Sequence, residues 1–599
     1  MSATLRPSIF EVPELVGLVA QYLSSQDIVH CIVSSKSWAH HFKPLLWRDV
    51  VLKRSHRAPQ ALILNRHRIR SLSVTSNDFY NLHMLAADLP NTFPGGSPQG
   101  PRDSTCSSTT ENNIFPHLRI IRVDCKPKEN AYDPKRVSLC MDYVLRILNQ
   151  SPGLLRLVLP ENILNFPSDH TKSFLYTLAH KLPCIRWLDI RGEGVPPEIG
   201  LEFLRVCLNH PQLASLHCYF SITGQRPIYG PFEHFSDEQC QLFKSFFTTM
   251  ENDKIAKEAK EATGKPALGS PIKSLILPKA NAGYPPDFIC TLLRAYLPNL
   301  ERFSAPKIDG DEDTFGDASF KKPLKEAVAQ GCPKLQHLRC SWCLDGCMGA
   351  VINGIVKGCQ EWGLKSFYCE DLNDQYGQRI LATLTHKHSK TLEEVELANC
   401  EDVKSEDVAG LFSCKNLKSV KIWRGRKGCT GMELQDVIFG CHDLKELQLT
   451  ITQPDVDPEY CEFGSDEDDD YEDFCARLER FDEWVRRISE RAYTQIGSLS
   501  KLETLSLNRD EWDGRGYDYD LTLEKGWLRQ LAGLKELKHF HMATDLWVNM
   551  GQAEVEFMDA QWPKLEKIEF SKNMKSQVKK RHWKWLQARR PGLVYGQRA

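Results

Sequence analysis

Apolar residues recur along this 599-residue chain in one local pattern: an apolar position, two variable ones, a second apolar, one variable, and a third apolar. The pattern occurs fifteen times, beginning at Ile69, Leu118, Leu154, Ile185, Leu213, Ile272, Leu300, Leu335, Leu364, Leu392, Leu417, Leu444, Leu502, Leu537 and Leu565. Its last two apolar positions alternate with polar ones, which predicts a short strand with one buried face. Between strands lie stretches with helical spacing, such as Leu201, Leu204 and Leu208, or Phe288, Leu292 and Leu293. Many close on a breaker before the next strand, as at Gly331-Cys332-Pro333, Gly440-Cys441 and Leu297-Pro298-Asn299. A strand and a helix this short cannot bury their apolar sides alone, so each unit depends on its neighbours, and the chain reads as a stacked solenoid.

The triplets, with most steps between 25 and 36 residues, resemble the leucine-rich-repeat family, in its cysteine-containing form with long βα units. The likeness spans roughly five-sixths of the chain and implies an α/β horseshoe, with parallel strands inside and helices outside.

Composition narrows the function classes. A formal net charge of −2 gives no global basic field for nucleic acid. No apolar run approaches the roughly 18 residues of a membrane span. Glu11 and Glu14 in the first amphipathic stretch argue against secretion or organelle import, so a cytosolic or nuclear setting with reduced thiols is expected. Cys340-Ser-Trp-Cys343 and Cys347 have the look of zinc ligands, but the repeat register explains cysteine more simply. Cys332, Cys414 and Cys441 stand three residues before a first apolar position, and Cys218, Cys340 and Cys369 fill the third; all are expected to be small buried hydrophobes. No metal and no cofactor is expected.

Residues 8–48 do not follow the repeat. They read as three short helices, with apolar faces of Leu15, Val19, Tyr22 and Leu23, then Ile28, Cys31 and Ile32, then the surroundings of Trp38. Pro13 suits a first helical turn, and Ser25 is placed to cap the second helix ahead of Asp27. A three-helix unit of this size has a thin core and is expected to keep apolar surface for a partner. Pro13-Glu14-Leu15, Tyr22-Leu23, Asp27-Ile28, Val33-Ser34-Ser35-Lys36-Ser37-Trp38 and Leu46-Trp47-Arg48 resemble the F-box, although Glu11-Val12 stands where that family usually carries Leu-Pro. An F-box ahead of leucine-rich repeats is the arrangement of ubiquitin-ligase receptors. The resemblance implies docking on the Skp adaptor of a Skp–cullin–F-box ligase through Pro13, Leu15, Val19, Leu23, Ile28, Val33 and Trp38. It also implies a protein substrate on the repeats, and a chain that is a monomer within the complex and needs no catalytic residue of its own.

Strand alternation predicts which side chains leave the buried face. His337, Arg339, Tyr368, Glu370, Glu394, Lys421 and Trp423 are the candidate substrate contacts, with Arg339, Tyr368 and Trp423 as anchors. Trp187 and Tyr219 extend the same kind of surface toward the amino end. The organisation expected is a helical domain over 1–55, an irregular first repeat over 56–117 with a flexible loop at 95–113, and a solenoid over 118–571. The solenoid is interrupted at 221–271, where a charged helix Glu251–Lys265 is expected, and at 452–500, where an acidic loop covers 455–473. Ser465, followed by acids, fits an acid-directed kinase site. Residues 572–599 carry nine Lys or Arg and no acid, yet Val578, Trp583, Trp585 and Leu586 lie at helical spacing ahead of Arg590-Pro-Gly-Leu-Val594, so a helix and short strand closing the core are expected.

No phosphate-binding glycine loop, His-Glu-x-x-His or Gly-x-Ser-x-Gly occurs. The rival readings are a leucine-rich interaction scaffold without a ligase role and a GTPase-activating repeat protein; neither gives Pro13–Trp38 a special task.

Overall fold

The computed structural model describes residues 13–20, 22–52, 59–75, 79–86, 89, 114–124, 134–159, 164, 168–191, 195–220, 237–260, 270–278, 286–305, 318–340, 347–358, 363–370, 374–398, 405–423, 429–430, 434, 439–452, 471–508, 522–523, 527–542, 551–570 and 580–597. It divides into two compact units, Met1–Phe288 with Ala295–Leu300, and Ile289–Arg294 with Glu301–Ala599.

The first unit opens with α1 (Pro13–Val19), α2 (Ser25–Ser34) and α3 (Lys36–Phe42). Parallel strands follow: β1 (Asp49–Leu52), β2 (Ser71–Thr75), β3 (Ile120–Asp124), β4 (Arg156–Leu159), β5 (Trp187–Arg191), β6 (Ser215–Tyr219) and β7 (Ser274–Ile276), each paired with the next. The second unit repeats the scheme with β8 (Arg302–Ala305), β9 (His337–Cys340), β10 (Ser366–Cys369), β11 (Glu394–Ala398) and β12 (Ser419–Trp423). The short β13 (Cys429–Thr430) pairs with the end of β14 (Glu446–Thr452), which itself continues from β12. The series then runs through β15 (Thr504–Asn508), β16 (His539–Met542), β17 (Lys567–Phe570) and β18 (Val594–Gln597). Helices alternate with strands throughout, so each unit is an α/β solenoid of the leucine-rich-repeat type.

The triplets account for this directly. All fifteen first positions are buried, none more than 4% exposed, and their second positions lie under them in one register row, as Leu338, Phe367, Val395, Val420 and Leu447 do in the second unit. Each such leucine removed from water stabilises by about 2 kcal/mol. Strand β1 is not among the fifteen triplets and falls inside the 1–55 stretch expected to be helical, although Trp47–Val50–Leu52 keeps the triplet spacing. Its Val50 and Leu52 are buried and pair with Leu72 and Val74, so the strand series starts at Asp49.

The position three residues before a triplet has a second task in three repeats, where a buried side chain bonds to the preceding repeat: His210 Nε2 lies 3.0 Å from the Leu182 carbonyl, Cys332 Sγ donates to Leu293 O at 3.5 Å, and Trp562 Nε1 donates to Leu531 O at 3.1 Å. Cys332 is therefore more than a small hydrophobe, because a thiol can donate to a buried carbonyl and a methyl group cannot. Burial holds the Cys414 and Cys441 thiols protonated, with pKa values raised to about 11 and about 12. Cys340 and Cys369 are buried too. Cys343 lies outside the described residues, and no group of metal-ligating side chains occurs among those described. His388 does related work, accepting from Leu364 N–H at 3.0 Å, while Thr391 Oγ1 donates to Leu364 O at 2.9 Å. Gly331 closes its helix against the previous one so tightly that a Cβ would meet Leu293 O at 2.1 Å.

The expected insertions are partly described. The charged helix of the first is Asp237–Lys260, shifted toward the amino end from Glu251–Lys265. It is not simply a solvated helix, since Phe243, Phe246 and Met250 are buried and Asp253 pairs with Arg205 of helix Pro197–Leu208. In the second insertion the helix Tyr471–Gly497 begins within the expected acidic loop, and Ile488, Tyr493 and Ile496 on its last turns are buried. Ser465 and the loop 95–113 lie outside the described residues. At the carboxyl end the helix Lys580–Arg589 and β18 stand where a closing helix and strand were expected. Arg589 and Arg590 both bond Asp559 at 2.7 Å, so part of the basic charge serves the chain's own packing.

Candidate functional site

Two surfaces collect the candidate residues. The first is the helical block. Its core consists of Val16, Ala20, Ile28 and Phe42, with Leu23, Cys31, Ile32, Trp38, Leu45 and Leu46 packed around it half-buried. A capping box fixes the start of α2: Asp27 N–H donates to Ser24 Oγ at 3.2 Å and Ser24 N–H donates back to Asp27 Oδ2 at 3.0 Å. The cap is thus Ser24, with Ser25 the first helical residue, one position earlier than the sequence suggested. That pairing holds the Asp27 carboxyl below its usual range.

Outside this core, α1, α2 and the turn between them leave apolar side chains open to water. Leu15 and Val19 are each 37% exposed, Leu18 53%, Val29 45%, Val33 81% and Tyr22 89%. Six of the fourteen exposed large apolar side chains among the described residues therefore fall within residues 15–33. Of the seven expected adaptor contacts, Leu15, Val19 and Val33 lie on this open surface. Leu23 and Trp38 are half-buried against the core, and Pro13 opens α1. Ile28 is a correction: it is 7% exposed and belongs to the block's own core, where the spacing of α2 turns it inward. Leu18 and Val29, not among the expected contacts, are exposed as well, each three or four residues from one of them on its helix face.

The second surface is the outward face of the strands in the second unit. Register places Arg339, Tyr368, Glu396, Lys421 and Gln448 side by side, one per strand from β9 to β14. The adjacent row runs His337, Ser366, Glu394, Ser419, Glu446. The Arg339 guanidinium sits 4.0 Å from the centre of the Tyr368 ring, a cation–π stack, and burial raises the Tyr368 phenol above its usual range. Burial likewise lowers the His337 pKa, with Arg302 adding to the effect. Lys421 Nζ lies 2.9 Å from Glu446 Oε1, and Ser419 Oγ donates to Glu446 Oε2 at 2.9 Å. Glu394 is exposed and Glu370 half-buried; Trp423 stands in β12 opposite Ala398. Six of the seven expected contacts thus share neighbouring positions on one face, while the side chain of Trp423 lies outside the described residues.

Beyond the expected set, the face deepens into a cavity of about 310 Å³ whose walls include Glu396, Lys421, Glu446, Ser506, His541 and Glu569. Ser506 and His541 form its buried floor, joined Oγ to Nδ1 at 2.7 Å. The same alternation that singled out Arg339 and Tyr368 also reaches Ser506, His541 and Glu569, through the register of β14 to β17.

The first unit presents a different face. Arg156 stacks on Trp187 at 4.6 Å and Arg191 lies 5.7 Å from the Tyr219 ring, with His217 edge-on to Trp187 at 4.7 Å. Asp189 is buried among them, 3.6 Å from Arg191 Nε. Within the first unit, Trp187 and Tyr219 each have their ring beside an arginine.

No protein-family model and no curated protein sequence matches this chain. Among solved structures the chain is similar to a leucine-rich-repeat protein of Leptospira interrogans, at 12% identity over 92% of this chain and 100% of that one, with a TM-score of 0.34. It is also similar to a structure of the Rad7 and Elc1 complex in yeast, at 12% identity over 96% of each chain and a TM-score of 0.37. The fold itself stands on the strand register and the buried triplets.

Proposed function

We propose that this chain is the substrate-recognition subunit of a Skp–cullin–F-box ubiquitin ligase, docking on the adaptor through α1 and α2 and holding a protein substrate on its repeats. The observation that carries the reading is the open apolar surface of Leu15, Leu18, Val19, Tyr22, Val29 and Val33 on a block whose own core is only a few side chains deep. Leaving such side chains in water forfeits burial worth roughly 25 cal/mol per Å², which a partner's apolar surface would recover. The chain then acts without chemistry of its own. It raises the effective concentration of substrate lysines at a conjugating enzyme that other subunits bring. Such a receptor works in the cytosol or the nucleus, where the ligase and reduced thiols are found.

Co-purification with the Skp adaptor tests this. The intact chain should retain the adaptor, and Leu18→Asp with Val33→Asp should release it while the thermal midpoint stays put, because neither side chain supports the core. Leu23→Asp is the wrong probe, since it strikes a residue packed inside the block. An intact chain that fails to retain the adaptor would sink the ligase reading and leave an interaction scaffold.

A further inference from the structure

The cavity on the outward face of the second unit carries a definite charge arrangement. Both of its lysines are already held by carboxylates, Lys421 by Glu446 at 2.9 Å and Lys567 by Glu569 at 2.8 Å. Glu446 has Ser419 as a further donor. The carboxylate of Glu396, also on the wall, has no hydrogen bond and no ion pair among the described residues, although the residue is half-buried. The nearby Arg339 is turned onto the Tyr368 ring. A half-buried carboxylate without a donor is costly to keep ionised. Burial accordingly raises the Glu396 pKa, with Lys421 and Arg339 opposing the shift only partly. The acidic surplus continues along the face through Glu394 and Glu370.

We propose that this cavity receives the cationic side chain of a basic segment of the bound protein, its ammonium or guanidinium seated against Glu396. The proposal rests on the reading of the repeats as the substrate platform and names the substrate class: a segment rich in Arg or Lys. Three features fit that occupant. The cavity, at about 310 Å³, has room for a basic side chain. The cations around it are neutralised internally, so an anionic group such as a phosphate would have to break the Lys421–Glu446 pair and then face Glu396. Finally, the Ser506 hydroxyl oxygen on the floor is an acceptor for a remaining N–H of a guanidinium.

The test uses the intact chain and labelled peptides of about twelve residues: one alternates Arg and Ser, a second has citrulline in place of each Arg, and a third alternates Asp and Ser. Fluorescence anisotropy at moderate salt gives the affinities. Glu396→Gln should weaken the arginine peptide roughly fivefold, the scale of a half-exposed ion pair with hydrogen bonds, and leave the citrulline peptide unchanged. Glu483→Gln, on the helix Tyr471–Gly497 and already paired with Arg486 and Arg487, is the control and should change neither. The proposal is overturned if Glu396→Gln binds the arginine peptide like the parent, if it weakens both peptides equally, or if an Asp-Ser peptide binds as well as the arginine one. Adaptor capture is measured separately. If capture fails while the Glu396 effect holds, the ligase reading falls and the basic-segment site stands; the reverse result removes this site alone.

Discussion

The helical block of residues 13–47 and the repeats behind it treat the same kind of residue in opposite ways. In the repeats, Leu338, Leu447 and Leu505 are at most 2% exposed, each covered by the helix and strand of its neighbours. In the block, Leu18 and Val33 are more than half exposed, although they sit at helical spacing beside core residues. The difference is one of available cover. A solenoid unit has a neighbour on each side, whereas three short helices cannot enclose all the apolar side chains they carry. An apolar residue in the repeats therefore reports on folding, and one on the open side of the block reports on a partner.

That comparison breaks most easily at the interior. Leu447→Ala should destabilise the second unit by about 3 kcal/mol, within the range for a leucine cavity, read as a lower urea midpoint at unchanged slope. Gly331→Ala should cost a comparable amount, because its methyl would have to displace the Leu293 carbonyl backbone.

Acid should act on the same interior. Burial depresses the His388 pKa to about 4, against an ordinary value of 6.5. The unfolded chain takes up this proton as the pH falls below about 6.5, while the folded chain resists it until about 4. Stability is therefore complete above the higher value and declines through that window, by up to about 3 kcal/mol from this residue. Thermal midpoints measured from pH 7 to pH 4 should fall, and His388→Asn should flatten that decline; a parent-like decline in the variant would assign the acid sensitivity elsewhere.

A smaller effect is expected at the junctions between repeats. Trp562→Phe keeps most of the ring packing but removes one of the two donors to the Leu531 carbonyl, which retains Leu534 N–H, a loss of about 1 kcal/mol in chemical denaturation. Smallest of all on stability should be Leu18→Asp with Val33→Asp, within about 0.5 kcal/mol, as for exposed positions generally.

Much of this was legible in the chain itself. The fifteen triplets located their strands because a strand's two-residue period is local, and the outward row through Arg339, Tyr368 and Lys421 followed from the same alternation. What escaped depended on distance across the fold. Strand β1 carries a triplet, Trp47–Val50–Leu52, but it overlaps the helical stretch and stands out only through its pairing with β2. The cavity needs the spacing of β11 to β17 together, which no single repeat encodes. Ile28 looked like a contact because a motif carried over by position does not say which way a helix is rolled. The donors His210, Cys332 and Trp562 hid inside a position that reads simply as buried.

The most direct measurement is the affinity of the intact chain for the Skp adaptor, with and without Leu18→Asp and Val33→Asp. The account predicts stable binding by the parent and a loss of at least about a hundredfold in the variant, at an unchanged thermal midpoint. Equal binding by the two proteins, or none by the parent, would contradict it.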